Sequence, residues 1–471
     1  MISIDALPDD VLLPIFEYYL HEQFWSKEGW TRAWQSLVHV CRRWRSVVFG
    51  SPRRLDLQLC CTDRTRSRDL LDIWPVLPLI IKGSWYGFEG FPAESVTVDN
   101  IVAALKCSDR VRHIELRAEK LVNWGMLFAA MQQPSPELTN LSLWSKDETV
   151  VAPDSFLGGF APRLRVIDLT RIPFPGLPKL LLSATHLVQL HLYGIPHSGY
   201  FSPDAMIAAL SNLTNLEVLW LIFESPESCP DLETRRLPPS TRSVLPILKY
   251  FEFKGVFEYL EDLVTDIDAP RLESLEITFF NDIVFDMPHM CQFISRTPLS
   301  SATNAYITLK NDTLRVSFES KSHYYGKLKV SVLCEGLDWQ ISSLAQVCTS
   351  CLPFLSTLKD LYIHEHANSK PDRKRGKDNI DDGVWLELLH PFIATKNLYI
   401  STIVGRRIGP ALLKSRAAEV LPTLENIFLE SSGRVQKGIG KFVAARRPSS
   451  HPVTSSRWVN SQQDISIHLH G

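Results

Sequence analysis

The feature that most constrains this chain is a six-residue pattern, apolar-x-x-apolar-x-apolar, that keeps returning. It runs as Val111–Leu116, Leu138–Leu143, Leu164–Leu169, Leu187–Leu192, Leu216–Leu221, Leu248–Phe253 and Leu272–Ile277, with later copies at Leu358–Ile363, Thr395–Ile400 and Leu424–Leu429. From Val111 to Leu272, successive copies start 23–32 residues apart. Alternation in the last triplet of each copy predicts a short strand with one buried face. Between the copies lie stretches with helical spacing, among them Ile101–Lys106, Met126–Met131, Asp204–Leu210, Tyr259–Val264, Ser343–Cys348 and Val384–Leu389. Strand and helix alternating at this period imply parallel strands, each joined to the next by a crossover. At 471 residues the chain exceeds what one ordinary compact core can hold, and a repeat array resolves that.

The pattern resembles the degenerate form of the leucine-rich repeat. The expected fold is therefore α/β: a curved solenoid over residues 53–432, with parallel strands inside and helices outside. Leu55–Leu59 and Leu79–Ile81 are expected to begin it. One region departs from the pattern. Ile307–Lys310 and Leu314–Phe318 are separated by only Asn311, Asp312 and Thr313, too few residues for a crossover. That predicts a β-hairpin insertion near 303–334, to which Leu328–Val332 could add a third strand. Residues 369–382 are polar and charged and read as an exposed loop. Residues 433–471 read as a C-terminal capping segment, with a helix over Gly438–Arg447 and a short element near Val453–Val459.

The first 52 residues have a different pattern. Leu7-Pro8-Asp9-Asp10 is a helix start, with proline tolerated in a first turn and carboxylates at the positive end of the dipole. Val11, Leu12, Ile15, Phe16 and Tyr19 follow at helical spacing, although Pro14 predicts a short turn or a kink. Leu37, Val40, Cys41, Trp44 and Val48 would form one continuous apolar stripe on a second helix. At Leu7-Pro8, Ile15-Phe16 and Val40-Cys41-Arg42-Arg43-Trp44-Arg45 the sequence resembles the F-box family, and in particular the F-box-like proteins abundant in mushroom-forming fungi. It departs from the family in a longer spacer at 21–33 and in Pro52-Arg53-Arg54-Leu55, where the family carries a tryptophan. The resemblance implies a small helical bundle that docks on the S-phase-kinase-associated adaptor of a cullin (SCF-type) ubiquitin ligase. The residues it assigns to adaptor binding are Leu7, Pro8, Val11, Leu12, Ile15, Phe16, Leu37, Val40, Cys41 and Trp44.

Fifty basic residues against 52 acidic ones leave a formal charge of −2, so no global attraction to nucleic acid or anionic membrane is implied. No apolar run reaches transmembrane length and the N-terminus does not read as a signal peptide, so a cytoplasmic or nuclear protein with free thiols is expected. No catalytic constellation stands out, and no cofactor or metal site is expected. Cys348-x-x-Cys351 lacks a second pair, His364-x-His366 and His468-x-His470 lack a third ligand, and the basic run Arg373–Lys377 reads as a solvated loop or a nuclear address. The function expected is that of a non-catalytic adaptor that recruits a protein target for ubiquitination, with a non-ligase repeat scaffold as the alternative. Reading the outward position of each repeat gives a candidate target surface: Trp220, Tyr250, Glu252, Glu276, Tyr362, Tyr399 and Phe428. Its aromatics would serve as apolar contacts and its acidic residues would favour a basic segment.

Overall fold

A computed structural model describes residues 7–23, 30–64, 67–74, 77–85, 98–118, 122–146, 150–228, 242–280, 287–300, 303–310, 313–319, 328–334, 336–365, 381–413, 417–430, 436–446 and 452–458. The chain forms two compact units, Met1–Tyr200 and Phe201–Gly471. The fold is α/β, built from repeat-like parallel strands and intervening helices.

The first unit opens with three helices, α1 (Asp9–Gln23), α2 (Trp30–Val40) and α3 (Arg42–Gly50). Helix α1 continues through Pro14 to Gln23, so the short turn expected there is not what forms. The expected single stripe from Leu37 to Val48 is instead divided between two helices. Cys41 is extended (φ −157°, ψ 170°), and its sulfur accepts from the Trp44 amide at 3.4 Å, capping α3. Leu12, Phe16, Leu37, Val38 and Val48 form the module's core. Arg43 ties the bundle together by donating to the Asp9 carboxylate at 2.7 Å and to the Leu7 carbonyl.

Six parallel strands follow in order: β1 (Leu59–Thr62), β2 (Leu79–Trp85), β3 (Val111–Ala118), β4 (Asn140–Ser145), β5 (Val166–Thr170) and β6 (Gln189–Ile195). The array thus starts at Leu59 rather than Leu55, which lies in a turn. Helices α4 (Ser67–Ile73), α5 (Val98–Leu105), α6 (Trp124–Ala130) and α7 (Leu177–Leu181) fill the crossovers, except between β4 and β5, where a turn at Phe156–Gly159 with left-handed backbone at Leu157, Gly158 and Gly159 serves. In each strand alternate residues, such as Leu141 and Leu143, are buried, as the motif requires. The helical module packs directly on this array. The Trp34 indole donates to the Gln58 carbonyl at 2.9 Å, and its ring meets Trp74 edge-on at 5.7 Å.

The second unit continues the alternation with α8 (Pro203–Leu210), β7 (Val218–Phe223), β8 (Ser243–Val244), β9 (Tyr250–Gly255), α9 (Phe257–Thr265), β10 (Ile267–Asp268) and β11 (Ser274–Phe279). Strands β8 and β10 form a small separate pair. Then come α10 (Pro288–Ser295), β12 (Asn304–Lys310), β13 (Thr313–Glu319), β14 (Leu328–Leu333), α11 (Leu337–Cys351) and β15 (Asp360–Glu365). The unit closes with α12 (Asp382–Leu389), β16 (Asn397–Ile400), α13 (Thr402–Leu412), α14 (Ala417–Val420), β17 (Asn426–Glu430), α15 (Gln436–Arg446) and β18 (Thr454–Trp458). Its main sheet has the order β7-β9-β11-β14-β13-β12-β15-β16-β17-β18. The expected hairpin is present as a three-stranded antiparallel meander, β12-β13-β14, built into the sheet between β11 and β15 rather than laid over it.

Candidate functional site

In the helical module, the residues assigned to adaptor binding separate into two sets. Leu12, Phe16 and Leu37 are 0%, 1% and 6% exposed and cannot touch a partner; they hold the bundle's shape. Trp44 and Cys41 are half-buried, and the Trp44 ring lies 4.7 Å from Phe16. Their contribution is therefore mainly to the interior. Leu7 is half-buried, with its carbonyl occupied by Arg43. The accessible set is Pro8, Val11, Ile15 and Val40. Val11 and Ile15 are 42% and 41% exposed on α1, and Tyr18, not foreseen as part of the site, is 67% exposed. Positions 11, 15 and 18 fall at i, i+4 and i+7, so they share one face of α1, beside the buried stripe of Leu12 and Phe16.

The arginines near this module are not simply a free basic field. Arg43 is held by Asp9, Arg54 lies 3.7 Å from Glu17, and Arg45 donates to the Val38 carbonyl at 3.0 Å.

In the second unit, strand register places the expected target residues in one row: Trp220, Glu252, Glu276, Lys329, Ser317, Tyr306, Tyr362, Tyr399, Phe428 and Ser456. Tyr250 lies in the next row, beside Glu252, and is 47% exposed. The row has two chemically distinct halves. At one end Tyr306, Tyr362, Tyr399 and Phe428 form a continuous stack, with centroid separations of 4.6, 4.2 and 4.5 Å and interplanar angles of 15°, 9° and 10°. The spacings match the ~4.8 Å between neighbouring strands, so each ring stacks on the one beside it in register. Tyr362 and Tyr399 are stacked on both faces, so these two offer edges and hydroxyls to a target rather than the apolar faces expected, whereas Tyr306 and Phe428, at the ends of the stack, each keep one face outside it. Trp458 lies against the same stack, 5.5 Å from Tyr399 and 6.0 Å from Tyr362. Burial, with Tyr399 and Tyr306 alongside, pushes the Tyr362 phenol well above its usual range. A second, polar ladder runs beside the rings: Thr454 donates to Asn426 at 2.7 Å, Asn426 to Asn397 at 2.9 Å and Asn397 to Asp360 at 2.7 Å.

The other half of the row is charged. Glu276 is held by Arg315 and Lys329, each at 3.1 Å, so the expected acidic row is already largely neutralised from within. Glu252 sits between Trp220 and Glu276, where burial first and Glu276 second push its carboxyl above the usual range. Tyr306, Lys329, Arg315 and Trp458 went unrecognised in the sequence. The first three lie on the insertion, outside the repeat register, and Trp458 lies on a strand without the motif.

In the first unit the corresponding row is Lys82, Glu115, Ser142, Asp168 and His191. It assembles a hydroxyl, a carboxylate and an imidazole, but Asp168 lies between Ser142 and His191. The imidazole is thus two strands, roughly 9–10 Å, from the hydroxyl, beyond general-base reach. The Ser142 hydroxyl donates to Asp168 at 3.4 Å. Among the described residues no three His, Cys, Asp or Glu side chains converge as metal ligands. His364 contacts the Thr308 hydroxyl at 3.3 Å. His366, His468, His470, Arg373–Lys377 and most of the 369–382 loop lie outside the described residues. The expectation of free thiols is corrected at one pair: Cys351 is bonded to Cys291, not grouped with Cys348.

No protein-family model matches the chain, and no curated protein matches it. Among solved structures, the leucine-rich repeat-containing protein LegL7 from Legionella pneumophila matches at 12% identity, over 77% of this chain and 96% of that one, with a TM-score of 0.29. At that score the superposition adds nothing to the strand register described above. No helix among the described residues is long and apolar enough to cross a membrane.

Proposed function

We propose that this protein is a substrate-recognition subunit of an SCF-like ubiquitin ligase, without catalytic residues of its own. Its helical module would dock on the S-phase-kinase-associated adaptor, and its repeats would hold a protein target near the ubiquitin-charged enzyme, so that proximity supplies the rate enhancement. The observation that carries the proposal is the exposed apolar face of α1, where Val11 and Ile15 lie one helical turn apart on a module whose buried residues do not include them. Aliphatic side chains exposed one helical turn apart are what a docking helix presents. The motif resemblance at Leu7-Pro8 and Val40–Arg45 names the adaptor. The target side of the proposal rests on the charged half of the row in the second unit, with Trp220, Tyr250 and Glu252 as contacts. Such a protein would act in the cytoplasm or nucleus.

The test is capture of the adaptor by the full chain. Ile15→Asp should abolish capture with the melting temperature unchanged, because Ile15 is not in the core. Unchanged capture by Ile15→Asp and Val11→Asp alike would leave the non-ligase repeat scaffold as the better reading.

A further inference from the structure

The insertion is where nearest-neighbour repeat logic fails. The chain leaves β11, passes α10, and enters the sheet at β12, three places away. It returns through β13 and β14 to lie beside β11. Helix α11 then carries it over the same strands to β15. Two crossovers therefore span one stretch of sheet, and α10 and α11 pack against each other there. Cys291 on α10 and Cys351 at the end of α11 are joined at this point, 60 residues apart in sequence, with Cα atoms 4.3 Å apart. The closed loop contains the whole meander.

We propose that Cys291 and Cys351 form a reversible redox staple over the insertion, exchanging with a low-molecular-weight disulfide of the glutathione class. The two sulfurs differ in access. Cys291 is half-exposed, whereas Cys351 is 1% exposed. In the forward direction the Cys291 thiolate attacks one sulfur of glutathione disulfide, and the first glutathione thiolate leaves. The Cys351 thiolate then attacks the Cys291 sulfur of the mixed disulfide and releases the second. Two protein thiols are oxidised, one glutathione disulfide is reduced, and the two protons pass to the departing glutathiones. Cys348, one turn before Cys351, is no competitor. It is fully buried, and burial pushes its thiol up to about 12.

Breaking the bond need not unfold the unit. Met290, Phe293, Leu344 and Val347 on the same two helices are each at most 1% exposed, so apolar packing persists in the dithiol form. What the bond adds is a restraint on the loop that holds β12 against β15, and with it Tyr306 at the end of the ring stack.

The full chain should be equilibrated at a series of reduced-to-oxidised glutathione ratios, quenched in acid, alkylated and mapped by mass spectrometry. A Cys291–Cys351 cross-link should appear in oxidising mixtures and vanish in reducing ones, with the far-UV circular dichroism unchanged. Hydrogen exchange should quicken in 303–334 on reduction, while the first unit is unaffected. In Cys291→Ser the exchange of 303–334 should match the reduced wild type and ignore glutathione; if that variant does not fold, the wild-type map alone decides. Alkylation of both cysteines at every ratio would overturn the proposal. So would a Cys348–Cys351 cross-link, a bond reducible only after unfolding, or reduction that leaves exchange in 303–334 unchanged.

Discussion

Tyr399 stands between two rings, Tyr362 at 4.2 Å and Phe428 at 4.5 Å, and both contacts are nearly parallel. Each such contact is worth about 0.5–1.5 kcal/mol beyond area burial, so Tyr399→Ala should cost at least ~1–3 kcal/mol in a denaturant melt. Tyr399→Phe keeps both contacts and should cost well under half of that; equal losses would show that the hydroxyl, not the ring, holds the stack. Glu115 gives a prediction of a different kind. The His113 ring 3.8 Å away, then the charges of Lys82 and Arg117, hold its carboxyl down to about 2 from an ordinary 4.5. Its folded-state value is depressed, so the stability it contributes is present in full above pH 4.5 and is lost as pH falls toward 2. Glu115→Gln should lower stability at neutral pH, modestly because the group is partly in solvent, and the difference from the wild type should shrink as pH falls toward 2, which flattens the acid limb. An acid limb identical in the two proteins would contradict this.

At the scale of elements, the helical module combines a good start with an unfavourable interior. Asp9 and Asp10 suit the first turn of α1, whereas Pro14 withholds an amide from the Asp10 carbonyl. Pro14 is exposed, so nothing in the core requires its ring. Pro14→Ala should therefore stabilise α1 by roughly 1–3 kcal/mol, read as slower hydrogen exchange over Asp9–Gln23. Faster exchange there would mean that the bundle needs the proline's geometry. Elements of the repeat were legible in the sequence because Leu141-x-Leu143 and its equivalents alternate within a strand, a signal that needs no partner. The hairpin was legible for a local reason too: three residues cannot make a crossover. The break at Cys41 was not. A cysteine at the centre of an apolar stripe reads as helix, and only its extended backbone and the sulfur cap on Trp44 show otherwise. Nor was the division of the module between core and surface, because periodicity marks an apolar face without saying whether it is covered. The ring stack escaped in part because Tyr306 enters it from the meander. The Cys291–Cys351 pairing escaped because its partners are brought together only by two overlapping crossovers.

At the scale of the molecule, each strand of the first unit contacts little beyond its neighbours, so stability there should approach a sum of repeat and interface terms. Removal of residues 138–163 joins the chain so that Leu164 takes the place of Leu138, and β5 then pairs with β3 as β4 had done. Ile167 and Leu169 would fall where Leu141 and Leu143 were buried, which keeps the apolar register against the helices. The shortened chain should remain soluble and cooperative, with a lower melting temperature because one interface is lost. Removal of residues 142–154 cuts away most of β4 and part of a crossover, leaving β3 without a matching neighbour and apolar residues without cover. That variant should aggregate or lose its sharp transition. Circular dichroism melts of both deletions decide the matter: equal loss of folded protein in the two would mean that the first unit behaves as one indivisible core rather than as a stack.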